Sequence, residues 1–379
     1  MIRPLARALL TRGLTTLAPP VQPGNSRSVL LIRPDHLGDL LFLTPGLRRL
    51  RAALPGWRLV LACGPWGAPV MAGNPDIDEL IELPFPGFTR APSPHPLQPY
   101  QLARVAAAQL RARDFAAAVV LRDDHWWGGL LALLAGIPRR IGASDPAVAS
   151  LLTQRVPVAG HSVARNTALL DAAARLLGGT PPDRSPTPER DPLAWTVTEQ
   201  DRADARRLTA AEPYVAVHPG SGAPVKSWPA ARWAELADRL AARKVRVVFT
   251  GGEAERWLVE TIRARMASDS LNLAGQTSLR ALGAIYADAR AVIGVDSGPL
   301  HLAVAAGAPT VQLYGPSDPE KFGPWGPVER HRVLHVGLHC SRCGDLSPGR
   351  PEGAGCMLAL DGECVSRALF ELIEPPADG

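Results

Sequence analysis

The sequence is short of several things, and each shortage removes a class of protein. No apolar stretch among its 379 residues reaches the roughly 20 that a helical membrane span needs. Cysteine is scarce: there are five, and four of them (Cys340, Cys343, Cys356 and Cys364) fall near the C-terminus. A disulfide-stapled secreted domain spreads its cysteines through the chain, so a cytoplasmic protein is expected. No run of Lys and Arg resembles a nucleic-acid arm, and a net charge of +5 on a chain with 20% charged residues is mild. Nucleic acid is therefore not an expected partner. An acidic ligand or an anionic membrane surface suits this balance better. Neither half has a GxGxxG after its first strand, and Gly251-Gly252 and Gly294 lack the companion glycines, which disfavours a nicotinamide dehydrogenase. The first 34 residues contain no Asp or Glu, yet carry Arg3, Arg7, Arg12, Arg27 and Arg33. Arg12 interrupts LARALLTRGLTTL, so it is not the clean apolar core of an export signal. Residues 1–28 read as a flexible basic leader. The alternative is a short amphipathic helix over Leu5–Leu17 in peripheral contact with the inner membrane surface.

Against these shortages, 46% of the residues are hydrophobic, enough for two cores. Short apolar runs alternate with helical patterns from end to end. In the first half, strands are expected at 29–33, 58–62, 79–83, 117–121 and 140–142. A helix is expected where Leu40, Leu43, Leu47, Leu50 and Leu54 recur three and four apart. Further helices are expected at 66–72, 100–113, 126–135 and 161–177. Pro84 to Pro99 holds six prolines and must be a loop. The stretch GGTPPDRSPTPERDP, 178–192, is a composition break and reads as an interdomain linker. Beyond it, strands are expected at 214–217, 245–250, 271–273, 291–295 and 310–313, with helices at 229–242, 253–267, 278–286 and 300–306. The expected organisation is a domain over 29–178, a linker over 179–192, a second domain over 193–339, and a Cys-rich tail with a C-terminal helix over 340–379. Two βα alternations imply an α/β protein of two doubly wound Rossmann-like domains, with a ligand in the cleft between them.

Two strand-to-helix junctions in the second half carry chemistry. In AVIGVDSGPLHL (291–302) a buried strand breaks at Asp296 and a helix begins near Pro299. Asp296 or Ser297 can cap that helix, Gly298 allows close approach, and the free N–H groups make a seat for a pyrophosphate. The plain alternative is an ordinary βα turn. In HPGSGAPVKSWP (218–229) Gly220 and Gly222 expose backbone N–H groups, Ser221 adds a hydroxyl and Lys226 a positive charge. Together these suit a phosphate, although the GK[ST] of a Walker loop is absent. The alternative is a flexible connection with a solvated Lys. In the tail, Cys340-x2-Cys343-x12-Cys356-x7-Cys364 is compatible with a structural zinc site, or with reduced unliganded thiols. Cys63 reads as a buried apolar residue.

Three segments in this order resemble glycosyltransferase family 9, the ADP-heptose:lipopolysaccharide heptosyltransferases and their relatives. They are IRPDHLGDLLFLTPGLRRLRAALP (32–55), VAVHPGSGAPVKSWPAARWAELADRL (215–240) and GVDSGPLHLAVAAGAPTVQLYGPSDP (294–319). Weaker similarity runs between them, roughly over 29–374. The resemblance implies a GT-B fold, with acceptor on the N-terminal domain and a nucleotide-sugar donor on the C-terminal domain, and no required metal. It implies that Asp39 is the general base and that Lys226 neutralises the leaving diphosphate. It also implies that Ser221, Gly222, Asp296, Ser297, Gly298 and His301 bind the donor, Asp296 through sugar hydroxyls, and that Glu253 reaches the ribose. His36, beside the reactive loop, departs from the usual pattern, and the proline-rich loop leaves the acceptor open.

The expectation is an inverting glycosyltransferase that moves a sugar from an ADP-heptose-type donor to a glycolipid or other saccharide acceptor. The alternatives are a noncatalytic sugar-nucleotide-binding paralogue and a GT-B sugar-nucleotide epimerase.

Overall fold

The computed structural model describes residues 13, 20, 21, 23–88, 95–210, 212–337 and 355–374. Apart from Gly13, the leader stretch Leu5–Leu17 lies outside them, as do the centre of the proline-rich loop, Cys340 and Cys343. The chain divides into two compact units, Met1–Pro186 and Thr187–Gly379.

The first unit runs β1 (Ser28–Ile32), α1 (Leu37–Leu41), α2 (Thr44–Ala53), β2 (Arg58–Cys63), α3 (Ala68–Met71), β3 (Glu79–Glu82), α4 (Gln98–Arg111), β4 (Ala117–Val120), α5 (Trp126–Leu134), β5 (Arg139–Ala143), β6 (Gln154–Val156) and α6 (Ser162–Leu176). Its strands form one parallel sheet in the order β3-β2-β1-β4-β5-β6. The central strands SVLLI and AAVV are buried throughout, as strands covered on both faces must be.

The second unit runs α7 (Glu199–Thr209), β7 (Tyr214–His218), α8 (Ala230–Ala242), β8 (Arg246–Phe249), α9 (Arg256–Arg263), β9 (Leu271–Asn272), α10 (Leu279–Asp288), β10 (Ala291–Val295), α11 (Gly298–Ala305), β11 (Thr310–Tyr314), α12 (Pro319–Phe322), β12 (His331–His335), α13 (Gly355–Ala359) and α14 (Gly362–Ile373). The sheet order is β12-β11-β10-β7-β8-β9, which in chain order repeats the pattern of the first unit. Trp233, Leu236, Ala237 and Leu240 of α8 form its buried stripe, and α14 adds Val365, Leu369 and Ile373 to the same core.

The two sheets therefore share one consequence. The strand order reverses between β1 and β4 in one unit and between β7 and β10 in the other. Within each unit, the loops after those two strands flank a crevice at the carboxyl ends of its own sheet, where ligands of such sheets bind.

Several elements differ from expectation. The expected helix through Leu40–Leu54 is two helices, because Pro45 has no N–H to continue the ladder at the start of α2. Strands β6 and β12 and helix α7 were not expected. Cys356 is buried in the second core beside Met357, whereas Cys364 is exposed in the first turn of α14, where its N–H bonds the Asp361 cap. Among the described residues no cluster of His, Cys, Asp and Glu is arranged to hold a metal ion. Cys63 is buried, and burial, with Glu82 adding to it, pushes its thiol up to about 11.

Gly294 is the penultimate residue of β10, paired with His218. A Cβ there would stand 2.4 Å from the His218 carbonyl oxygen and 2.5 Å from Leu300 Cδ2. Backbone cannot yield as a side-chain tip can, so Gly294→Ala is expected to destabilise the protein by about 2 kcal/mol. A drop in melting temperature with secondary structure retained checks this.

Candidate active site

In the second unit β7 ends at His218, and the loop Pro219–Gly222 follows. His218 is buried, with Nδ1 3.0 Å from both Thr250 Oγ1 and Tyr286 Oη. Burial lowers its pKa more than nearby Glu255 raises it, so the imidazole is neutral. Ser221 Oγ is engaged within its own loop: it donates to the Ala223 carbonyl at 2.8 Å and accepts from the Ala223 N–H at 3.3 Å.

Lys226 ends a short 3₁₀ turn, Pro224–Lys226, and its ammonium sits 2.6 Å from Asp296 Oδ2. Asp296 follows β10, so the pair joins the two loops that flank the reversal of strand order. Asp296 is 5% exposed; Ser317 Oγ donates to the same oxygen, and His301 Nε2 is 3.6 Å from the other. Burial alone would raise this carboxyl. The neighbouring His301 imidazole and the Lys226 ammonium outweigh it and hold Asp296 far below the usual carboxylate range. Both Asp296 oxygens thus have protein groups beside them, and the carboxylate, expected to meet sugar hydroxyls, also anchors Lys226.

Helix α11 starts beside this pair. Ser297 occupies the N-cap position in extended conformation, but its side chain makes no capping bond. Its hydroxyl is buried without a hydrogen-bond partner among the described residues. Pro299 takes up the first turn, and Gly298 opens the helix. A helix start carrying an unused hydroxyl next to a fixed ammonium has the chemistry to receive an anion.

The acids of Gly251-Gly252-Glu253-Ala254-Glu255 part company. Glu253 is largely exposed, pairs with Arg256 at 3.3 Å, and lies over Gly275. Glu255 accepts the Gly252 N–H at 2.7 Å and covers Gly220, where a Cβ would fall 1.9 Å from its Oε1. The carboxylate against the His218–Gly222 loop is therefore Glu255, which the sequence did not single out over Glu253.

In the first unit, the loop after β1 carries Arg33, Asp35, His36 and Asp39. Asp39 is in the first turn of α1, and the N-cap position belongs to His36. The Asp39 side chain is one-third exposed, and its Oδ1 accepts from Arg33 Nη2 at 3.0 Å. His36 is exposed, with its ring 5.4 Å from Trp66, whose indole N–H is shared between the Pro34 and Asp35 carbonyls at 3.1 Å each. Across the reversal, the loop after β4 brings Arg122 onto Asp35 and Asp124, and places His125 at the cap of α5. Arg33, Asp35, Arg122 and His125 were not identified as site residues from the sequence. The available signal was the charged tripeptide Arg122-Asp123-Asp124 directly after an apolar strand.

Comparison with known proteins shows the family and the fold. A model of glycosyltransferase family 9 (heptosyltransferase) matches residues 104–346. Lipopolysaccharide heptosyltransferase 2 of Escherichia coli is 27% identical over 336 residues, which are 85% of this chain and 92% of that protein. Two solved structures share the fold. The glycosyl transferase family 9 protein of Veillonella parvula superposes with a TM-score of 0.74 at 24% identity, covering 91% of this chain and 97% of that one. E. coli heptosyltransferase WaaC with ADP gives 0.65 at 20% identity, covering 91% and 99%.

Proposed function

The chain belongs to glycosyltransferase family 9, the heptosyltransferases, and from that premise we propose that it transfers heptose, with inversion, from an ADP-heptose-type donor to a lipopolysaccharide-core-like acceptor. The E. coli relative, named for lipopolysaccharide, supports the acceptor class, and WaaC, whose structure holds ADP, supports the nucleotide. The observation that carries the reading is the Lys226–Asp296 pair beside the start of α11.

The donor diphosphate is held by Lys226, by the backbone N–H groups at Gly298, and by the Ser297 hydroxyl. Gly222 and Ser221 line the facing loop, and His301 steadies Asp296. Asp39 takes the proton from the acceptor hydroxyl as that oxygen attacks the anomeric carbon. The new C–O bond forms as the bond to the diphosphate breaks, and the leaving oxygen keeps the electron pair. One displacement inverts the configuration. Either Glu253 or Glu255 meets the ribose, and Glu255 is the acid already held against the phosphate loop. A glycolipid acceptor would bring the enzyme to a membrane surface as a peripheral protein. No helix among the described residues is long and apolar enough to cross one.

Thermal shifts with equal concentrations of ADP, UDP, GDP and CMP test the donor half. ADP is expected to raise the melting temperature most, since a ligand at about 100 times its Kd adds about 2.7 kcal/mol. ADP-heptose should then be consumed in the presence of a lipopolysaccharide inner-core acceptor. No shift with any nucleoside diphosphate would remove the donor site. A shift with ADP but no turnover would make the chain a noncatalytic sugar-nucleotide-binding protein.

A further inference from the structure

Asp39 is held by a charge network that runs into the sheet. Arg33 directly follows β1 and is 6% exposed. Its Nη1 donates to the Leu121 carbonyl and, at 3.0 Å, to Asn166 Oδ1 of α6. Its Nε is 2.8 Å from Asp35 Oδ2, and its Nη2 donates to Asp39. One guanidinium is thus shared between a buried carboxylate and a partly exposed one. The far side of Asp35 meets Arg122, which also binds Asp124 at 2.7 Å. The signs alternate along the row Asp39, Arg33, Asp35, Arg122, Asp124.

We propose that Arg33 and Asp35 are positioning residues that aim Asp39 and set its readiness to take a proton, Arg33 lowering it and Asp35 restoring it. This rests on Asp39 being the base. Burying a guanidinium and a carboxylate at the end of a central strand is expensive, and an apolar residue would fill the space at less cost. What the charges provide is a fixed bond to Asp39. With Arg33 alone beside it, Asp39 would lose proton affinity, because an opposite charge at this range lowers a carboxylate by about 1–3 pH units. Asp35, on the same guanidinium, offsets part of that charge. Asp35 cannot itself be the base: it is 3% exposed and lies between two guanidiniums. Burial would raise it, but Arg33 and Arg122 outweigh burial and keep it ionised.

Other titratable and charged groups stand around this row. Burial lowers His125, at the cap of α5, to about 4, so it is neutral. Asp123 pairs with Arg165 of α6, and Asp124 with Arg122. His161, at the start of α6, uses Nδ1 to accept the Val163 N–H. His36 occupies the N-cap position of α1, its ring beside Trp66.

The test is the pH profile of kcat/KM with ADP-heptose and a lipopolysaccharide inner-core acceptor. Asp39 acts deprotonated, so the rate climbs as pH rises through its pKa, giving an acid limb. In Arg33→Met the limb is expected to move to higher pH, and in Asp35→Asn to lower pH, each by about one pH unit. The Asp35→Asn plateau should also fall several-fold, since a weaker base transfers a proton less well. The donor KM should stay put in both. Structural damage can lower rates but cannot displace the limb in opposite directions. If Arg33→Met fails to fold, Arg33→Lys replaces it: the limb should stay near the wild-type position while the plateau drops, because charge survives and aim does not. Rate losses with an unmoved limb, or limbs moving the same way, would overturn the pairing while leaving Asp39 in place. A limb that persists in Asp39→Asn would overturn the base and this inference together.

Discussion

Lys226→Ala is expected to lower kcat by about 10²-fold or more, the scale of losing one preorganised electrostatic group at a centre of developing charge. As the glycosidic bond breaks, the oxygen that bridged sugar and phosphate gains charge, so an ammonium fixed beside it attracts the transition state more strongly than the ground state. Lys226 is fixed: its Nζ is 2.6 Å from a buried carboxylate that Ser317 and His301 also hold. The substitution has a second effect. It leaves Asp296 buried and without its cation beside an incoming diphosphate, and that repulsion should raise the donor KM as well. The two effects separate in Lys226→Ala/Asp296→Asn, where neither charge remains. The donor KM should recover toward wild type there, and kcat should not. Asp296→Asn alone should cost less than Lys226→Ala, because the ammonium persists with a looser anchor. Lys226→Arg should restore part of kcat, since a planar fork does not reproduce a point charge. Steady-state kinetics with ADP-heptose decide the matter. An unchanged kcat with a raised KM in the double variant would make Lys226 a ground-state binding residue, and the helix start at Gly298 would then carry the leaving group.

The alternation of strands and helices was legible because central parallel strands are largely unbroken apolar runs, as in SVLLI, AAVV and AVIGV. The edges were not. β6 reads QRV and β12 reads HRVLH, short segments carrying arginine, with no apolar run to mark them. α7, EQDRADARRLT, buries only Asp201, Ala205 and Thr209, too little for a visible stripe. The phosphate-side motifs were legible as local strand–loop–helix junctions. Their pairing was not: Lys226 and Asp296 are 70 residues apart and meet because β7 and β10 are neighbours, which only the strand order decides. The same holds for Arg33, which read as the last residue of the first strand and one of five arginines in the first 34 residues. In the folded chain it is buried after β1, and the segment that follows the neighbouring strand β4 supplies Leu121 and Arg122. The choice of Glu255 over Glu253 against Gly220 depends on the 3₁₀ turn at Glu253–Glu255, which periodicity cannot register.

Asp39→Asn is expected to lower transfer by about 10²-fold to 10⁴-fold, the range that positioned proton transfer contributes. The substitution is nearly silent for the fold. An Asn Oδ1 can still accept from Arg33 Nη2, and the side chain is one-third exposed, so no buried group is orphaned. Arg33 also keeps Asp35, Asn166 and the Leu121 carbonyl. The melting temperature should therefore change little, and so should its rise with ADP, since every donor group named above belongs to the second unit. What is lost is the ability to accept a proton. Of the two carboxylates in the loop only Asp39 can do this, because Asp35 is buried and its two oxygens face Arg33 and Arg122. The acid limb of the pH profile should vanish with the rate. The residual rate should rise toward alkaline pH, where hydroxide substitutes for the missing base. Near-normal transfer by a folded Asp39→Asn protein, with its acid limb intact, would place the proton acceptor elsewhere and leave Asp39 as a residue that only completes the first turn of α1.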